Sequence, residues 1–284
     1  MKTSQLLFEI AKKLQKNSHS SSNLEARMLL GYVLDCSINS LFLRDDLQIN
    51  QVQKNKLKKL ITRRSNGEPM AYLLRKREFY GHEFIVNNNV LDPRCDSEAM
   101  IELIKEDYVD YSTQQLRLIE LGVGSGCLII SILNEFKLWN AIGIDISRKA
   151  LNLAKKNCQK FNLSSRLKLL NSDLFSKINF VKKFDIIISN PPYIPTLEID
   201  NLQKEVAFFE PRIALDGGVD GLEFYRKIAK NSLNYLQKKG SIFVEIGHNQ
   251  RDDVVEIFKD CDFYLHSAKK DLANIVRILH FKQK

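Results

Sequence analysis

The chain is short of cysteine and has none arranged for use. Its five cysteines, at 36, 95, 127, 158 and 261, are odd in number and share no CxxC spacing, and its five histidines stand singly. That leaves no disulfide framework and no metal-ligand spacing, and it predicts reduced thiols, a cytoplasmic setting and no metal centre. Long apolar runs are missing too; none approaches the roughly 20 residues a membrane span needs. The opening MKTSQLLFEIAKKLQ mixes apolar and charged residues as an amphipathic helix does, with no visible export signal, so a soluble protein is expected. No internal repeat or low-complexity tract is evident.

At 284 residues and 44% hydrophobic, the chain can bury a full core, and its length suggests one large domain with a smaller one. The net charge of +9 is uneven. Residues 1–90 carry 15 Lys/Arg against 8 Asp/Glu, while residues 91–284 carry 28 against 26. Much of the excess lies in QVQKNKLKKLITRR (51–64), where Val52, Leu57, Leu60 and Ile61 fall at helical spacing among six basic residues. A solvated helix face is the default reading of such a run; a surface for an acidic partner or RNA is the alternative.

Residues 1–78 read as helices only. Leu6, Leu7, Ile10 and Leu14 mark one stripe, and Ser22 to Glu25 fits a capping box opening a helix through Met28, Leu29, Leu30 and Val33. The period changes in EFYGHEFIVNNNVLD, so a hairpin linker is expected over 79–92 and a second domain over 93–284. From about 115 onward, strand-like runs at 116–122, 141–146, 167–171, 184–189 and 240–247 alternate with helical stretches. This predicts a mostly parallel, doubly wound α/β sheet. The runs at 261–268 and 274–281 are joined by a link too short for a helical crossover, so the last of seven strands should return antiparallel.

Two motifs carry the chemistry. Gly122-Val123-Gly124-Ser125-Gly126 follows the first strand of the second domain and opens a helix, with glycines where a ligand needs close backbone approach. Its GxGxG spacing lacks the later glycine of the dinucleotide fingerprint, for Cys127 stands there, and it argues against a nicotinamide dinucleotide. Cys127 itself reads as a small packing residue. Asp145 closes the next strand and could accept two hydrogen bonds from ribose hydroxyls, although alone it would serve equally as the cap of the helix that follows. Asp173 ends a third strand at the same edge. Three polar strand ends at one crevice favour a ligand site. The second motif is Asn190-Pro191-Pro192-Tyr193. A proline pair after a strand often merely ends it, but here the two fixed φ angles also stiffen whatever the loop presents.

On ELGVGSG, GIDIS, NSDLF and NPPYIP the chain resembles the class I S-adenosylmethionine-dependent methyltransferases, whose seven-stranded sheet carries a reversed last strand. EPMAYLLRKREFYG, VLDPR, EPRIALDGGVDGLEFYRKI, EIGHNQ and KDLANIVR make it similar, nearly end to end, to the N5-glutamine methyltransferases of peptide chain release factors. The resemblance implies S-adenosylmethionine bound by Gly122, Val123, Gly124, Ser125 and Gly126, with Asp145 on the ribose and Asp173, Leu174 and Asn190 also in contact with it, Leu174 against the adenine. It implies that Asn190, Pro191, Pro192 and Tyr193 hold the glutamine of a release factor's GGQ loop, which the first helices would dock. Leu174 stands where the family usually has an aromatic or large residue, and Asp92, Cys95 and Asp96 where it tends to show Ile, Pro and Glu; Arg75 and Asn274 replace usual glycines.

An amide nitrogen is a poor nucleophile because its lone pair is delocalised into the carbonyl. The Asn190 side-chain oxygen and the Pro191 carbonyl could take both of its N–H groups and push electron density back onto nitrogen, while Tyr193 walls off water. No general base is assigned. The same clamp would serve an adenine N6 in a nucleic-acid methyltransferase, but no aromatics interleave the basic helix and nucleic acid is not expected as substrate. A glutamine methyltransferase of a ribosomal protein is the nearer alternative. A non-catalytic cofactor-binding module is disfavoured because both motifs are present.

Overall fold

The computed structural model describes residues 2–15, 21–43, 48–111, 113–178 and 182–284. They form two compact units: Met1–Lys76 with Gln203–Phe209, and Arg77–Leu202 with Glu210–Lys284.

The first unit is built from helices at Thr3–Leu14, Ser22–Leu34, Gln51–Ser65 and Met70–Leu74, with Lys204–Phe209 contributed from much later in the chain. Ile10, Leu14, Leu29, Leu30, Leu57 and Leu60 close its core, whereas Val52 faces solvent. The capping box expected at Ser22 does not form. The helix is capped from Ser21 without a side-chain bond to its backbone, because Glu25 turns inward. There Arg64 grips it in a two-pronged pair, Nε to Oε2 at 2.9 Å and Nη2 to Oε1 at 2.7 Å. Arg64 also donates to Glu205 at 2.6 Å, so the last residue of the basic run is buried rather than solvated. Asn50 and Gln53 form the capping box instead, at the start of the basic helix.

In the second unit, β1 (Lys76–Phe79) and β2 (His82–Ile85) pair as a hairpin. Both turn residues, Tyr80 and Gly81, have positive φ (50° and 69°), the backbone that a tight two-residue hairpin turn demands. The main sheet follows: β3 (Arg117–Leu121), β4 (Asn140–Asp145), β5 (Leu167–Asn171), β6 (Phe184–Ser189), β7 (Leu236–Glu245), β8 (Phe263–Lys270) and β9 (Val276–Gln283). Their order is β5-β4-β3-β6-β7-β9-β8, with only β9 antiparallel to its neighbours. The reversed last strand expected from the short link is therefore present. That link closes with Asp271 N donating to the Ile275 carbonyl at 2.8 Å, and Asn274 sits in it at φ 65°.

Alternation along the strands sorts the core into two layers. Leu118, Ile186, Ile188 and Phe243 face one cluster, which takes in Met100, Ile101 and Ile129 from helices. Their neighbours Ile119, Ile187, Ile242 and Val244 face the other, with Tyr225, Ile228, Val254 and Phe258. Strands buried on both faces need continuous apolar runs, which is what made them visible in the sequence. The chain winds from β3 outward through β4 to β5, then crosses to β6 on the other side of β3. At that reversal the carboxyl ends of β3 and β6 part and leave a crevice.

Candidate active site

Among the described residues, a cavity of about 340 Å³ opens at this crevice, within the size range of small-molecule sites. Gly122, Gly124, Asp145, Leu174, Asn190 and Pro191 are on its wall.

The glycine turn is shaped from below. The amides of Gly122 and Val123 both donate to the Ile144 carbonyl at 2.8 Å, which binds the end of β3 to that of β4. Gly122 and Gly124 then take φ of 80° and 52°, backbone that side chains rarely adopt. A Cβ built on Gly124 meets nothing within 4 Å, so the turn skirts open space. Gly126 has a different task. It lies off the cavity wall at φ 81°, where a Cβ would press on Ile130 at 3.1 Å, and it seats the Cys127–Glu135 helix against its neighbour.

The helix that follows is capped by Ser147, so Asp145 is left to hold the turn and face the cavity. Its Oδ2 accepts from Gly124 N at 2.9 Å and its Oδ1 from Ser147 N at 2.8 Å. Burial raises its pKa and these two amides partly offset that. Each carboxylate oxygen still has a second lone pair, so holding the turn and accepting ligand hydroxyls are compatible. Glu120, buried beside it, is pushed well above the usual carboxylate range by desolvation. Cys127 is pushed up to about 12, first by burial, which leaves a protonated thiol unsuited to attack. Asp173 and Leu174 complete the third strand end, with Leu174 at φ 43°.

On the opposite wall Asn190 follows β6 directly, and its backbone closes over the glycine turn: a Cβ on Gly122 would come within 3.9 Å of the Asn190 carbonyl. Pro191 and Pro192 also line the cavity, whereas Tyr193 stands behind the wall. A Cβ on Gly247 would come within 3.0 Å of the Tyr193 ring, and burial raises the phenol to about 12. The expected apolar wall of Tyr193 thus braces the loop from behind.

Sequence reasoning missed what holds that loop. Ile194 N donates to Leu215 O at 3.0 Å and Gly217 N to Ile194 O at 2.8 Å, so the ALDGGVDG segment runs as a strap beside it. Gln250 Nε2 donates to Tyr193 O at 3.0 Å. Ser97 and Glu245 were missed as well, and both reach Asn190: its Nδ2 donates to Ser97 Oγ at 3.1 Å, and that hydroxyl donates to Glu245 Oε2 at 2.5 Å. An ionisable residue closing the otherwise apolar GSIFVE was the available signal.

Two of the scattered histidines do meet in space. His280 Nδ1 lies 2.7 Å from Asp107 Oδ2, with His266 beside it. His280 is buried, held down to about 3 chiefly by that burial, and its Nε2 is engaged by Ser241 at 2.8 Å. Lys282 Nζ stands 3.3 Å from His266 Nε2, an unfavourable neighbour for a second cation.

Residues 5–74 match the PrmC N-terminal domain and residues 90–209 the methyltransferase small domain. A bifunctional methyltransferase of Rickettsia felis is 36% identical over 98% of this chain, but the chain spans only 57% of that protein. A release factor glutamine methyltransferase of Agrobacterium fabrum is 35% identical over 98% of this chain and 96% of its own length. The chain belongs to the release factor glutamine methyltransferase family. A solved ribosomal protein L11 methylase from Lactobacillus delbrueckii shares the fold, at a TM-score of 0.50 and 16% identity over 70% of this chain and 84% of that one. Four of the six residues quoted as departures have a distinct local setting here. Arg75 and Asn274 occupy left-handed backbone (φ 58° and 65°), where glycine carries no penalty. Asp96 reaches Arg277 at 3.5 Å, and Cys95 is exposed. Among the described residues no helix is long and apolar enough to cross a membrane.

Proposed function

We propose that this chain transfers the methyl group of S-adenosylmethionine to the side-chain amide nitrogen of the glutamine in the GGQ loop of peptide chain release factors, in the cytoplasm. One observation carries the reading: the glycine turn with its carboxylate and the Asn-Pro-Pro segment line the same cavity, so a cofactor and an amide held by them would lie side by side.

The residues present suit that cofactor. Asp145 offers lone pairs to a ribose, the amides between Gly122 and Ser125 edge the open space, Asp173 adds a polar group, and Leu174 with Ile146 supplies apolar surface for an adenine. Gly126 contributes by shaping the turn. The bound molecule supplies a methyl group on a sulfonium, which needs only in-line approach. The chain's own part is to orient and to polarise. Asn190 Oδ1 and the Pro191 carbonyl would take the two amide N–H groups, and Pro192 offers no N–H donor to compete. As positive charge grows on the nitrogen, both acceptors stabilise it. Tyr193 keeps the loop in place. We assign docking of the release factor to the helices of the first unit and its electrostatic steering to the basic run at 51–64.

The test is tritiated S-adenosylmethionine offered in parallel with unmethylated release factor, ribosomal protein and unmethylated DNA. Label on the GGQ glutamine is expected; label only in DNA overturns the reading.

A further inference from the structure

The parallel register that sets Ser189 opposite Val244 brings the next pair, Asn190 and Glu245, together at the carboxyl ends of β6 and β7. Ser97, at the end of the Cys95–Ser97 turn, sits between their side chains. Both partners of Asn190 are buried, Ser97 at 3% exposure and Glu245 at 1%. A hydroxyl has one proton to give. While the Ser97 proton points to the Glu245 carboxylate, its oxygen can only accept, so the Asn190 amide must face it with its NH₂ and turn its oxygen the other way.

We propose that Ser97 and Glu245 are positioning residues that fix which end of the Asn190 amide meets the substrate, and that the charge state of Glu245 sets this choice. The inference rests on the function proposed above and assigns the control of its amide clamp. With Glu245 ionised, Asn190 presents an acceptor to the substrate NH₂. With Glu245 protonated, its O–H can donate to Ser97, the Ser97 proton is freed to seek the Asn190 oxygen, and the Asn190 NH₂ swings toward the substrate NH₂. Two donors then face each other and the clamp fails. A charged acceptor behind the amide also polarises it, strengthening Asn190 Oδ1 as an acceptor along the chain of hydrogen bonds.

Burial lifts Glu245 to about 7, opposed by the bond from Ser97 and the charge of Arg277, with Asp96 raising it and Asn190 lowering it. Other groups around it are Tyr193 and Tyr225, whose hydroxyl donates to the Glu245 backbone carbonyl at 2.9 Å. The transition therefore falls where physiological pH can act on it.

The experiment compares single-turnover methylation of unmethylated release factor by wild type, Glu245→Gln and Ser97→Ala across pH, with S-adenosylmethionine affinity measured calorimetrically. Wild type should lose rate about ten-fold per pH unit on the acid side of the transition. Glu245→Gln, which carries a permanent donor, should be slowed about ten-fold or more relative to wild type on the alkaline side of the transition, lack the acid limb so that the two rates converge at acid pH, and keep cofactor affinity within about two-fold. Ser97→Ala deletes one buried oxygen and should likewise lower the rate and remove the limb. A wild-type rate in Glu245→Gln on the alkaline side, or an acid limb that persists in it, overturns the inference. Should that variant not fold, Ser97→Ala decides alone by the same two criteria. If wild type leaves the glutamine unlabelled, it is the proposed function that falls.

Discussion

Gly217 lies against the backbone of Tyr193 so closely that a methyl group on the glycine would come within 2.8 Å of the tyrosine Cα and 2.9 Å of the Pro192 carbonyl oxygen. The strap and the Asn-Pro-Pro-Tyr loop are thus fitted to each other at van der Waals limits. Gly217→Ala should cost about 1–3 kcal/mol through overpacking. It should also lower kcat, because the displaced atoms belong to the loop that carries Asn190. Thermal melts paired with turnover measurements check both; a stable, fully active variant would show that the strap does not set the loop.

Removing the amide itself is the most direct test of the clamp. Asn190→Ala should reduce kcat by about 10²–10³, the size of a lost transition-state hydrogen-bonding group. Cofactor affinity should stay nearly unchanged, since Asp145 and the glycine turn do not depend on that side chain. Steady-state kinetics and calorimetry separate the two effects.

Glu245 has a stability signature independent of catalysis. Its carboxyl rises from 4.5 to about 7 on folding, mainly by desolvation. Between those values the folded chain holds a proton the unfolded chain has released, so the contribution is intact below the unfolded pKa and is lost as pH climbs through the folded one. Glu245→Gln should therefore gain on wild type by about 3 kcal/mol between pH ~4.5 and pH ~8. Urea denaturation at the two pH values measures it, and a pH-independent difference would show that the group does not titrate in that window.

Arg64 holds two carboxylates inside the helical unit. Burial alone would raise Glu25, but the hydrogen bonds and charge of Arg64 outweigh it and hold Glu25 below its ordinary value. Arg64→Met should cost about 3–5 kcal/mol, because it strands a buried charge. Adding Glu25→Gln should recover part of that loss. A double-mutant cycle on the intact chain reads the coupling.

Arg75 and Asn274 are exposed residues in left-handed backbone. Each glycine replacement should stabilise by up to about 1 kcal/mol, and Arg75→Gly by more than Asn274→Gly, since asparagine tolerates that conformation better. Chemical denaturation midpoints rank them.

The central strands of the sheet were legible because burial on both faces demands apolar runs such as Ile186-Ile187-Ile188. The reversed β9 was legible because a link of a few residues has no room for a crossover helix. The glycine turn, Asp145 and Asn190 were legible as local motifs at strand ends. Glu25 was misread because a capping box and a buried ion pair ask for the same residue, and only the position of Arg64, 39 residues away, decides between them. Ser97 and Glu245 are 148 residues apart, and strand register brings Asn190 beside Glu245; no local pattern encodes either meeting. The roles of Gly126 and Tyr193 shifted for a related reason: whether a residue stands on a wall or behind it depends on what packs at its back.

The third partner in the Arg64 clamp, Glu205, lies 141 residues downstream. A ribosome delivers the guanidinium long before the second carboxylate that completes its pairing. The front helices can collapse around Glu25 while most of the sheet is still unmade, yet their final ion network must wait until the polypeptide beyond β6 has emerged. The helical unit, most of it made before the sheet, thus cannot reach its finished form until residue 205 has been made.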